Sequence, residues 1–173
     1  MVIDTLKCVG CSDCVVACQT ENNVPEGYCR DWVTETVTGA YPTVELELKS
    51  ERCNHCDNAP CVRTCPTGAS HIVEGGVVLV TPDECIGCGA CIESCPYDAR
   101  FQHPDGYVDK CTFCYHRLEK GQLPACVSVC PTKCMYFGDL DDPKSEVSQL
   151  LKTRTQKVLA PESGTKPNVY YLT

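Results

Sequence analysis

The chain has 173 residues, 18 of them cysteine, and a formal net charge of −8. An acidic balance without a basic stripe argues against nucleic-acid binding, which needs cations along a phosphate backbone, and no apolar run approaches the roughly 20 residues that cross a bilayer. With one Trp and three Phe the apolar content is modest, so the cysteines, about a tenth of the residues, are expected to help hold the fold.

The first cysteine, Cys8, leaves no room for a signal peptide. A soluble chain is expected, either cytoplasmic or exported with a partner that carries the signal. Group one, "CVGCSDCVVAC", supplies Cys8, Cys11, Cys14 and Cys18. After it, "WVTETVTGAYPTVELELKSE" alternates apolar and polar residues around Gly39 to Pro42. Val33, Val37, Val44, Leu46 and Leu48 are predicted to line one face of paired strands. Group two, "CNHCDNAPCVRTCP", supplies Cys53, Cys56, Cys61 and Cys65, and "GGVVLVTPDE" then predicts a short strand. Group three, "CIGCGACIESCP", supplies Cys85, Cys88, Cys91 and Cys95. Group four, "CTFCYHRLEKGQLPACVSVCP", supplies Cys111, Cys114, Cys126 and Cys130. Its insert, with Arg117, Lys120 and Gly121, predicts a short helical turn that returns through Pro124. Asp142 and Pro143 predict a helix start, with Val147, Leu150 and Leu151 at helical spacing behind it. "VLAPESGTKPNVYYLT" has little periodicity and is expected to wrap over the cysteine sites or lie against a partner.

Every group begins C-x2-C and ends C-x3-C, and only the middle gap varies. That is an internal repeat. Group three is the full bacterial ferredoxin run, C-x2-C-x2-C-x3-C-P, in which three thiolates wrap one 4Fe–4S cube and the fourth reaches a second. Gly87, Gly89 and Ala90 let its backbone turn close to the sulfides. A proline follows the last cysteine at Pro66, Pro96 and Pro131, while group one has Gln19 there. Zinc has no use for C-x2-C-x2-C or the CP endings, and the repeated C-x2-C spacing suits metal better than disulfides. Cys29 and Cys134 stand outside ligand spacing and are expected to be small buried apolar residues. No cysteine is missing for His55, His71, His103 or His116 to replace, so these are expected to hydrogen-bond or face solvent. Lys110 and Arg63, beside ligand positions, are candidates to tune cluster potentials through their charge.

These motifs, with "VIDTLKCVGCSDCVVACQTEN", "KCTFCYHRLEKGQLPACVSVCPT" and "FGDLDDPKSEVSQLL", resemble the four-cluster iron–sulfur subunits of molybdopterin oxidoreductases along nearly the whole chain. The 15-residue link from Cys95 to Cys111 is most similar to the polysulfide/thiosulfate reductase and nitrite-reductase-associated members. The resemblance implies an α+β fold of tandem bacterial-ferredoxin-like units with an inserted β-hairpin and a C-terminal helix plus extended tail. Residues 1–28 with 96–134 would form one unit, 50–95 the other, 30–49 the hairpin insertion, and 135–173 the helix and partner-binding tail. It also implies four 4Fe–4S clusters: Cys8, Cys11, Cys14 and Cys130 on the first; Cys111, Cys114, Cys126 and Cys18 on the second; Cys53, Cys56, Cys61 and Cys95 on the third; Cys85, Cys88, Cys91 and Cys65 on the fourth. Some relatives hold a 3Fe–4S cluster where Trp replaces a group-three cysteine, but Cys88 is kept here, so four full cubes are expected.

No nucleophile–base set, phosphate-binding loop or open metal site stands out, so electron transfer is expected rather than catalysis in this chain. The resemblance implies a relay between a quinone-binding membrane subunit and a molybdopterin (Mo or W) catalytic subunit in anaerobic respiration. It further implies membrane association through those partners, on the periplasmic side by co-export with the catalytic chain, with a cytoplasmic location also compatible. The alternatives are an electron-transfer subunit of a hydrogenase or formate dehydrogenase, and a free-standing polyferredoxin.

Overall fold

Each cysteine group folds as an open loop that runs into a short helix. The computed structural model describes Met1 to Thr173. β1 (Val2–Asp4) leads into group one, which ends on α1 (Asp13–Asn22). β2 (Asp31–Ala40) and β3 (Thr43–Arg52) form an antiparallel hairpin. Group two ends on α2 (Pro60–Arg63), followed by the antiparallel pair β4 (Ser70–Ile72) and β5 (Val78–Val80). Group three ends on α3 (Ala90–Glu93), followed by the antiparallel pair β6 (Phe101–Gln102) and β7 (Val108–Asp109). Group four carries α4 (Tyr115–Leu118) in its insert and ends on α5 (Ala125–Val129), before β8 (Met135–Tyr136). α6 (Glu146–Thr153), β9 (Gln156–Lys157) and β10 (Tyr170–Leu172) complete the chain.

The repeat extends to the backbone. The residue before the second cysteine of each group has a positive φ: Gly10 at 67°, His55 at 44°, Gly87 at 65° and Phe113 at 52°. At Gly87 a side chain is also excluded by space, because a Cβ would lie 2.3 Å from the Gly106 carbonyl oxygen. His55 and Phe113 hold a conformation that is unfavourable for bulky residues. Their rings stack on each other at 3.7 Å in the buried core, and that contact offsets the strain.

The central sheet has the order β8-β1-β10-β9, with β1 parallel to β10. Side chains alternate across it. Ile3, Met135 and Tyr171 pack towards the cysteines, whereas Val2 and Leu172 pack with Val147 of α6. α6 starts later than its sequence suggests. Its cap is Ser145, whose Oγ accepts from the Ser148 N–H at 3.2 Å, while Asp142 accepts from the Lys144 N–H in the preceding turn. The tail beyond α6 first runs along the group-two loop: the N–H groups of Asp57 and Asn58 donate to Lys166 and Thr165, and that of Asn168 donates to Asn54. It then enters the sheet as β10.

In the β2–β3 hairpin the register sets Val33, Val37, Val44, Leu46 and Leu48 on one face. Its base packs on the core, while Val37, Val44 and Leu46 near the tip are exposed. Because Leu172 is fully buried between sheet and helix, Leu172→Ala is expected to lower stability by about 2–5 kcal/mol. Anaerobic unfolding in denaturant measures this, and an unchanged midpoint would show that β10 is not part of the core.

Candidate iron–sulfur sites

Two helix pairs organise the cysteines. α1 packs against α5, and α2 against α3. Cys14 and Cys18 are one turn apart on α1, on the same buried face. Cys14 turns to a space shared with Cys8, Cys11, Cys130 and Cys134. Cys18 turns to a space shared with Cys111, Cys114 and Cys126. At the other pair, Cys65 of group two joins Cys85, Cys88 and Cys91 of group three around a third space. The remaining four also neighbour one another: Cys53 and Cys61 act electrostatically on both Cys56 and Cys95. No two of the 18 cysteines are joined in a disulfide. They line spaces rather than converging on a point, and no three His, Cys, Asp or Glu side chains are placed to hold a single metal ion.

Burial pushes many of these thiols up, Cys56 to about 11 and Cys111 to about 12, with Cys14, Cys18, Cys91, Cys95 and Cys126 moved in the same direction. Thiolate is the ligating form, so metal must displace protons here and its binding is coupled to folding. Cys65 and Cys130 behave differently. Burial alone would raise them, yet local donors hold both below the usual thiol value. The N–H groups of Ser70 and Cys134 each lie 3.4 Å from the sulfur, and the Thr67 and Thr132 hydroxyls are 3.7 and 3.6 Å away. The shared Cys-Pro-Thr sequence builds the same environment twice.

The buried polar groups around the cages test whether clusters fit. Arg52 is 1% exposed and donates from Nη1 to the Cys126 sulfur at 2.9 Å, yet its Nε has no partner. Arg100 is 4% exposed and donates from Nη2 to the Cys61 sulfur and to Ser70, each at 2.9 Å, while its Nε and Nη1 have no partner. His55 accepts from the Val78 N–H at Nδ1, which leaves the proton on Nε2, and that atom is also unpartnered. Burial, with nearby cations, keeps this ring neutral by lowering its pKa. An orphaned buried donor costs about 1–3 kcal/mol; Arg52 lines a cysteine space, Arg100 reaches a cysteine sulfur, and His55 lies between Cys53 and Cys56 in sequence. Sulfides of an iron–sulfur cube are acceptors of the kind they lack. The residues fit such clusters.

Lys110 is buried, and its Nζ donates to the carbonyls of Val78 and Cys111. Arg63, its companion candidate, is exposed and turns to Asn58 instead. Sequence reasoning misses Arg52 and Arg100, although an "RC" at 52–53 matches the "KC" at 110–111. His116 pairs with Glu21 at the surface, His71 contacts the Ala69 carbonyl, and His103 stacks on Tyr107. Arg117 of the insert pairs with Glu21 on α1 rather than with a cysteine cage. Cys29 is exposed, against the expectation of burial, because it lies in the connection between α1 and the hairpin. Cys134 is buried, with its sulfur 3.4 Å from that of Cys130. Both Cys29→Ser and Cys134→Ser are expected to leave the iron content per chain unchanged in metal analysis; a drop in either would make that cysteine a ligand.

Comparison with known proteins gives the same reading. A family described as a 4Fe–4S dicluster domain matches residues 44–140, and a second of the same description matches residues 7–69. The arsenate respiratory reductase iron–sulfur subunit ArrB of Shewanella sp. (strain ANA-3) is 39% identical, over 99% of this chain and 94% of the relative. A tetrathionate reductase subunit of Salmonella typhimurium is 45% identical, over 99% and 71%. Protein NrfC of Escherichia coli (strain K12) is 47% identical, over 98% and 78%. The chain belongs to this 4Fe–4S dicluster family, and the arsenate and tetrathionate relatives are reductase subunits.

Proposed function

We propose that the sixteen grouped cysteines hold four 4Fe–4S clusters in a row. The first is held by Cys8, Cys11, Cys14 and Cys130, and the second by Cys18, Cys111, Cys114 and Cys126. The third is held by Cys53, Cys56, Cys61 and Cys95, and the fourth by Cys65, Cys85, Cys88 and Cys91. Each cluster supplies a one-electron couple when bound. The protein's part is to hold the clusters in order, keep water from the middle ones and open the ends to partners.

The pattern of exposure supports this reading. Each terminal set has one exposed cysteine, Cys11 or Cys88, whereas the two middle sets have none. Beside those two lie Val9, 59% exposed, and Ile86, 67% exposed, at equivalent places in the repeat. Apolar side chains beside an exposed ligand suit a partner surface that excludes water at the point of electron transfer. In this reading the first-cluster end meets a molybdopterin catalytic subunit and the fourth-cluster end meets a quinone-binding membrane subunit. Clusters held by the Cys65, Cys85, Cys88 and Cys91 set and by the Cys8, Cys11, Cys14 and Cys130 set would accept electrons from quinol at the one end and deliver them at the other. The complex is held at the membrane through its partners, on the periplasmic side by co-export with the catalytic chain. No helix of this chain is long and apolar enough to cross a membrane itself.

The test is the metal content of the complex, purified anaerobically from native cells through a tag on this chain. Molybdenum or tungsten at one atom per chain, with a co-purifying large subunit, is the expected result. Iron alone, without a stoichiometric partner, would contradict the proposal and favour a free-standing polyferredoxin.

A further inference from the structure

The net charge of the chain is strongly negative, yet three cations are almost wholly enclosed: Arg52, Lys110 and Arg100. Their places follow the cysteine sets. Arg52 donates from Nη1 to Cys126, and from Nη2 to the Ser50 hydroxyl, which is itself 3.6 Å from the Cys14 sulfur. It therefore joins a ligand of the second set to a ligand of the first. Lys110 donates to the carbonyl of Cys111 in the second set and to that of Val78, which packs with Cys56 and Cys61 of the third. Arg100 donates to Cys61 in the third set and acts on Cys91 in the fourth. Each successive pair of sets thus shares one of these three side chains.

We infer that Arg52, Lys110 and Arg100 are the charge compensators of the electron path, one between each successive pair of clusters. This rests on the cluster assignment above. A cube held by four thiolates is anionic and gains a further negative charge on reduction, and its potential depends on net charge and on hydrogen bonds to sulfur. A cation in the gap favours the reduced form on both sides. The repulsion between electrons on successive clusters is unchanged, but the attraction of each electron to the cation offsets it. A row of four clusters can then hold more than one electron at a time, as a two-electron reduction at a partner site requires. Asp31 lies 3.5 Å from Arg52 and loses that partner if Arg52 is removed.

Redox titration of the intact complex, followed by electron paramagnetic resonance, tests this with Arg52→Gln, Lys110→Met and Arg100→Gln. Arg52→Gln is expected to move two of the four clusters to lower potential and Arg100→Gln the other two. Each shift is expected to be about a tenfold fall in the reduced-to-oxidised ratio at fixed poise, or about 59 mV for a one-electron couple. Lys110→Met should move one cluster from each set. Arg52→Lys and Arg100→Lys, which keep the charge, should restore the parent potentials. The sets need no prior assignment of signals, and three gaps give separate comparisons if one variant fails to assemble. Unshifted potentials, or an equal shift of all four, would overturn the inference. Iron analysis and spin counting on the parent complex separate the two claims: fewer than four clusters would refute the assignment, whereas four clusters with no gap-specific pattern would refute only the compensators.

Discussion

A C-x3-C pair one turn apart on α1 carries its two sulfurs about 6 Å along one face, where each can join a different set. The rest of the architecture depends on that spacing. Cys14 and Cys18 of α1 turn to different spaces, and Cys126 of α5, with Cys130 at its C-terminal cap, answers in the opposite sense. Each space is completed only when two groups meet. Group one must therefore find group four, more than ninety residues away, and the inner groups two and three close within that outer pair.

Concentrating this many thiolates creates the second constraint. Two unit charges about 10 Å apart, at an effective dielectric of about 20, interact by about 1.7 kcal/mol, more than tenfold in an equilibrium. A protein with a small apolar core cannot ignore several such terms. It meets them with guanidinium and ammonium groups inside, although burial of a charge is unfavourable in itself. Burial works against the charge of Arg52, but Cys126, Asp31, Cys111 and Cys14 together keep its pKa well above the ordinary value. The buried cations and the cysteine cages each depend on the other. Surface residues take no part in this: Arg63 and Arg117 satisfy Asn58 and Glu21.

The parts of the fold legible in the sequence are those set locally. The cysteine groups, the alternation in the hairpin and the amphipathic α6 follow from short-range spacing, and the positive φ of Gly10 and Gly87 could be anticipated from their side chains. Nothing local marks His55 or Phe113 as having the same conformation, since their stacking partner is supplied by another group. β10 is equally hidden, because Tyr170 to Leu172 become a strand only by pairing with β1 at the far end of the chain. Arg100 follows Cys95 by five residues, and only the folded backbone returns it to Cys61. Lys110 could be singled out because its place beside Cys111 is visible in one dimension.

The central claim is that every cluster takes its ligands from two cysteine groups. Diffraction at the iron absorption edge, from crystals of the intact complex, locates the iron directly. The account predicts four separate iron-rich sites per chain, with Cys18 at the site of Cys111, Cys114 and Cys126, and Cys130 at the site of Cys8, Cys11 and Cys14. An iron site bounded by the four cysteines of a single group, such as Cys8, Cys11, Cys14 and Cys18 together, would contradict it.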